Sequence, residues 1–83
     1  MTENEIQERI QEYFTKSSDY TPTYQENLFE SGVLDSFGVV EFLTFIQEKF
    51  VVEIPIEDIT EENFSTIESI SNLIVQANMD LKG

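Results

Sequence analysis

The chain has 83 residues, with 17 acidic side chains against 4 basic ones, no histidine and no cysteine, giving a formal net charge of −13. Without cysteine there is no disulfide, thiolate ligand or thiol nucleophile, and without histidine no serine–histidine–acid triad is possible within the chain. Such a surface repels nucleic acid and anionic membranes, yet a hydrophobic content of 40% is too high for a disordered acidic tail. One small domain over residues 1–83 is expected, ordered over about 2–78 with a frayed tail at 79–83. The opening segment MTENEIQERI has neither a basic region nor an apolar run. No apolar stretch approaches the ~20 residues that span a bilayer, so a cytoplasmic location is expected.

Thr2 followed by Glu5 fits a capping box, and Ile6, Ile10, Tyr13 and Phe14 then recur at helical spacing. This predicts a first helix ending near Lys16. The polar, turn-rich stretch KSSDYTPTYQENLFESGVLD follows, with Pro22 and Gly32. Its Leu28, Phe29, Val33 and Leu34 allow a long loop to pack down rather than dangle. From Phe37 to Phe50 the helical period returns. At about 100° per residue, Val39, Val40, Phe42, Leu43, Ile46 and Phe50 share one broad face. Glu41, Thr44 and Glu48 fall opposite, together with Phe37 and Phe45, and core packing does not explain two aromatics there.

VVEIPIEDITEENF alternates like a strand, but Pro55 and the lack of a partner strand predict a connector with a short helical turn near Glu57 to Thr60. Ser65 and Glu68 fit a second capping box, followed by Ile67, Ile70, Leu73, Ile74 and Ala77 at helical spacing. The expected fold is all-α: a small four-helix bundle of three main helices and one short one, with a long structured loop between helices one and two.

Ser36 stands at the head of the second periodic run, at or beside the N-cap, where its oxygen can accept a free backbone N–H. Asp35 is the alternative cap, which leaves the Ser36 hydroxyl exposed. A helix N-terminus carries partial positive charge and free donors, so an exposed serine there also suits a phosphate-linked group. The acidic run EIPIEDITEEN lacks the alternating acids and turn glycine of a calcium loop, and no metal site is expected. Phe14 and Phe64 read as core.

LFESGVLDSFGVVEFLTFIQEKFVVEIPIEDITEENFSTIESISNLI resembles the acyl/peptidyl carrier protein family, and the resemblance runs over essentially the whole chain. It implies a stand-alone, non-catalytic carrier with 4′-phosphopantetheine on Ser36, next to Asp35, attached from coenzyme A by a separate phosphopantetheinyl transferase. Cargo would ride on the prosthetic thiol as a thioester. The implied partners are that transferase, an acyl- or aminoacyl-loading ligase, and downstream acyltransferases or synthases, met by a monomer with no stable membrane insertion. Phe37 matches the apolar residue after the serine, and Glu41 and Glu48 match acids of the recognition helix. From Asp35 to Glu62 the acids are Asp35, Glu41, Glu48, Glu53, Glu57, Asp58, Glu61 and Glu62 against Lys49 alone. That excess suits brief, salt-sensitive docking to basic patches. Partner recognition is accordingly expected of Phe37, Glu41, Phe45, Glu48, Glu57 and Asp58.

The commonest family pattern is Asp-Ser-Leu, and fatty-acid carriers often have an acid where this chain has Gly38. With Phe37 and Gly38 here, fatty-acid-like or specialised (secondary-metabolite) acyl carriage ranks first, supported by the DIT–EENF stretch. A D-alanyl carrier for teichoic acids, which GVLDSFG resembles, ranks second, and a peptidyl carrier third. The reading from a different class is an unmodified helical interaction module anchored by Phe37 and Phe45.

Overall fold

The structure, a computed structural model, describes the backbone of residues 2–82 and the side chains of residues 2–78. In it α1 spans Glu3–Ser18, α2 Ser36–Phe50 and α3 Ile67–Lys82, with a 3₁₀ turn at Ile56–Asp58 between the last two. There is no strand among the described residues.

The start of α1 follows from its cap. The Thr2 hydroxyl accepts the Glu5 N–H at 3.2 Å and donates to the Glu5 carboxylate at 3.3 Å. The helix runs two residues past Lys16 because Ser18 Oγ takes up the Phe14 carbonyl at 2.7 Å and Asp19 closes the end. Asp19 adopts the left-handed conformation (φ 59°), which a short polar side chain tolerates, and its N–H returns to Thr15 O at 3.1 Å.

Residues 19–35 form the long loop, and it is tied to its surroundings rather than draped over them. Gln11 Nε2 donates to Pro22 O at 2.8 Å, Glu68 N to Tyr24 O at 3.0 Å, and Leu28 N to Ser65 O at 2.7 Å. Leu28 and Leu34 are buried. A segment whose backbone polar groups and apolar side chains are both satisfied holds one conformation. These bonds also move the cap of α3. Because the Glu68 N–H is spent on Tyr24, it is not available to Ser65, and Ser65 Oγ turns to Glu62 O at 2.9 Å. The reciprocal cap forms one residue later: Ser69 N–H donates to Thr66 Oγ1 at 3.0 Å and Thr66 N–H to Ser69 Oγ at 3.2 Å.

The connector behaves as expected, with a shift. Val52 and Ile54 are buried, and Pro55 (φ −59°) starts a turn at Ile56–Asp58 that is earlier and tighter than the one anticipated at Glu57 to Thr60. The α3 backbone stays helical to Lys82, beyond the expected end of the ordered core at 78, while Gly83 lies outside the described residues.

The core draws Ile6, Ile10 and Phe14 from α1, Phe42 and Ile46 from α2, and Ile67, Ile70 and Ile74 from α3, with Leu28 and Phe64 from the connections. Between α1 and α3 lies a buried, hydrogen-bonded polar pair: Gln7 Nε2 donates to Ser71 Oγ at 3.3 Å, and Ser71 Oγ donates to Glu68 O at 2.8 Å. Aromatic rings join α1 to α2, with Phe14 and Phe42 centroids 4.9 Å apart and Tyr13 stacked on Phe45 at 4.5 Å.

That stack corrects the helical wheel at two positions. Val40, expected in the core, is 65% exposed, and Phe45, expected on the polar face, is half-buried. The buried stripe of α2 centres on Phe42 and Ile46 and is narrow. Val40 sits about 160° from Phe42 around the helix, whereas Phe45 sits about 60° from it, where Tyr13 of α1 covers it. No helix among the described residues is long and apolar enough to cross a membrane.

Candidate functional site

The start of α2 is fixed from both sides. Gly32 turns the chain with a positive φ of 83°, and buried Leu34 anchors the backbone one residue before the cap. Asp35 is extended (φ −137°, ψ −178°). Its Oδ1 accepts the Gly38 N–H at 2.7 Å, and its carbonyl accepts the Val39 N–H at 2.9 Å. Of the two caps that the sequence allows, the structure forms the one on Asp35. Ser36 becomes the first residue inside the helix, exposed, with its hydroxyl in no hydrogen bond among the described residues.

Gly38 has a steric reason in this arrangement. A Cβ there would come within 3.2 Å of Asp35 Oδ1 and 3.6 Å of Leu34 Cδ1. A side chain at position 38 would press on the carboxylate that caps the helix, and glycine leaves it room.

The electrostatics favour an anion on Ser36. The first turn of α2 holds no acidic side chain, and the Asp35 carboxylate is engaged with the Gly38 N–H. The amides of Ser36 and Phe37 have no acceptor within the helix, and the positive end of the macrodipole lies beside them. A free hydroxyl, an open surface and this field together fit a phosphodiester.

Beyond Ser36, α2 and the 3₁₀ turn each present apolar and acidic side chains to solvent. Phe37 is 88% exposed and Val40, one turn on, 65%. Glu41 and Glu48 are exposed along the same helix. Glu41 lines one cleft with Tyr13, Ser17 and Ser18 near the end of α1, and burial, with the Glu41 charge adding to it, raises the Tyr13 phenol pKa above its ordinary value. Glu57 is exposed and Asp58 half-buried on the 3₁₀ turn, where Ile56 is 86% exposed. Phe45 is apart from this group, against Tyr13. The exposure of Val40 and Ile56 was not expected. Val40 was legible as the i+3 neighbour of Phe37, had the stripe been drawn narrower.

Residues 5–74 match the family described as "Phosphopantetheine attachment site". The chain belongs to the phosphopantetheine-binding carrier proteins. This carrier is 31% identical over 78 residues to the D-alanyl carrier protein of Streptococcus sanguinis (strain SK36), covering 94% of its own length and 91% of that protein's. It is also 31% identical to the D-alanyl carrier proteins of Streptococcus uberis (78% of this chain and 85% of that one) and Streptococcus suis (81% and 82%). The cofactor of the carrier is covalently bound 4′-phosphopantetheine.

Proposed function

We propose that the 4′-phosphopantetheine is held on Ser36, and that this is a non-catalytic, monomeric, cytoplasmic carrier whose cargo is D-alanine. The observation that carries the attachment is the Asp35 cap. Because Asp35 Oδ1 satisfies the Gly38 N–H at 2.7 Å, the helix does not need the Ser36 hydroxyl, which faces solvent. The bound group supplies a terminal thiol that holds cargo as a thioester. The chain's own residues root that arm. Asp35 and Leu34 fix the angle at which Ser36 leaves the helix, and the positive helix end offsets phosphodiester charge.

Two observations support a small cargo. All three relatives described above are D-alanyl carrier proteins. In addition, the centre of the bundle is filled by rings: Phe42 is fully buried, 4.9 Å from Phe14 and 6.1 Å from Phe64 by centroid. Housing a long acyl chain there would displace well-packed aromatics, which costs about 1–3 kcal/mol or more, whereas D-alanine needs no interior space. On sequence alone specialised acyl carriage ranks first; the relatives and the filled core favour D-alanyl carriage over it. Docking of the transferase and of a loading ligase is assigned to Phe37, Glu41 and Glu48, with Glu57 and Asp58 extending the acidic edge.

The test is intact-mass analysis of the protein from its own cells with thioesters preserved. The expected species is the phosphopantetheinyl form bearing one D-alanyl group, discharged by hydroxylamine. A fatty-acyl mass in its place refutes the cargo, and an unmodified chain refutes the carrier role of Ser36.

A further inference from the structure

Three of the four basic residues in the chain, Arg9, Lys16 and Lys49, line one open groove of about 790 Å³ between α1 and α2. The groove exists because α1 packs closely against α3, while aromatic side chains hold α1 and α2 apart. Its floor is the stacked pair Tyr13 and Phe45, both half-buried, with ring planes 29° apart.

The charges in the groove are unequally engaged. Lys16 pairs with Glu12 at 3.0 Å, the one ion pair among the described residues. Glu12 is held below the usual carboxylate range chiefly by its bond to Lys16, and the charges of Arg9 and Lys49 add to the pull. All three cations line the same groove as Glu12. Glu5, which accepts a hydrogen bond from the Thr2 hydroxyl, and Glu8 are the remaining acids on the rim. Arg9 and Lys49 stand on the two sides of an aromatic floor without an ion-pair partner among the described residues.

We propose that this groove docks an amphipathic helix of a partner protein that presents a carboxylate beside a large apolar side chain. A furrow between two helices takes a helical segment, with an apolar anchor on its floor and charges on its rims. The carboxylate is matched by Arg9 and Lys49. A uniformly acidic segment is excluded by the net charge of −13, so the helix carries basic residues on its other flank, toward Glu5 and Glu8. The site is separate from the attachment point. Phe45 and Lys49 lie nine and thirteen residues along α2 from Ser36, roughly 14 and 20 Å at about 1.5 Å per residue. A partner seated there leaves the Ser36 face open, so the carrier can be retained by one protein while another works at Ser36.

The test uses the isotope-labelled holo protein, titrated with a synthetic amphipathic peptide that has a leucine stripe, glutamates on one flank and lysines on the other. Saturable amide shifts are expected at Arg9, Tyr13, Phe45 and Lys49, with Val40 and Ile56, which line neither this groove nor the cleft beside it, unmoved. Binding should weaken roughly tenfold when the peptide glutamates become glutamines, and again in an Arg9→Glu/Lys49→Glu variant that keeps its helical circular dichroism. The glutamine peptide makes the test independent of how that variant folds. No saturable shift, shifts centred on Phe37, or equal binding of both peptides overturns the proposal. Concentration-dependent shifts at the same residues without peptide would identify a second copy as the occupant, which also overturns it.

Discussion

Helices α2 and α3 have nearly the same length, 15 and 16 residues, but they dispose of their apolar side chains differently. α3 buries Ile67, Ile70, Ile74 and Ala77 in a regular stripe. α2 is the richer in aromatics, yet of its apolar residues it fully buries Phe42 and Ile46 while leaving Phe37 and Val40 largely in solvent. A helix that only packs looks like α3. Single exposed apolar residues are ordinary, but two of them one turn apart, beside an unengaged serine and with Glu41 next to them, fit the docking surface proposed above. On the proposed function, α2 serves both the fold and docking, whereas the described face of α3 is spent on the core.

The sharpest way to break that comparison lies within α2. Phe42→Ala should cost about 3–5 kcal/mol, the usual loss for a buried phenylalanine. Phe37→Ala should change stability by no more than about 0.5 kcal/mol, as at an exposed site, while slowing phosphopantetheine transfer. Denaturant melts and transferase kinetics on both variants decide it. Comparable losses of stability would make Phe37 a packing residue and erase the distinction.

A smaller effect is expected from charge. Glu41→Lys should raise the apparent KM of the transferase several-fold at low salt, and Glu3→Lys should not. The gap should narrow as salt shortens the screening length to below about 8 Å. Glu3 serves as the control because it is exposed in the first turn of α1 and makes no ion pair among the described residues. Equal effects of the two reversals would reduce the acidic surface to a solubility device.

The smallest effect concerns how α2 ends. Val51 closes the helix in the left-handed conformation (φ 52°), a costly place for a β-branched residue, and its side chain is exposed. Val51→Gly should stabilise the protein by about 0.5–1 kcal/mol, less than the full relief of strain because glycine gives up more chain entropy on folding. A lowered thermal midpoint would show that Val51 contributes packing that its exposure conceals.

Much of this was legible in the chain itself: the Thr2 cap, the apolar residues that pin the long loop, and the start of α2 at Asp35–Ser36. What was not legible depended on contacts distant in sequence. Phe45 changed faces because Tyr13, 32 positions away by number, covers it. FSTIES offers both Ser65 with Glu68 and Thr66 with Ser69 as a capping pair. The choice falls to the second because the Tyr24 carbonyl takes the Glu68 amide. At the site, the sequence allowed either Asp35 or Ser36 as cap, and only the 2.7 Å bond from Gly38 N–H to Asp35 Oδ1 distinguishes them. The groove between α1 and α2 was hidden for the same reason, since Arg9 and Lys16 meet Lys49 only once the helices are packed.

The central claim is that Asp35 caps α2 so that Ser36 is free to be modified. The direct measurement is the intact mass of wild type and Ser36→Ala after incubation with coenzyme A and a broad-specificity phosphopantetheinyl transferase. The wild type should gain a single phosphopantetheine. Ser36→Ala should gain none while keeping its helical circular dichroism, because the cap does not use the serine. Modification of Ser36→Ala to the wild-type extent would contradict the account.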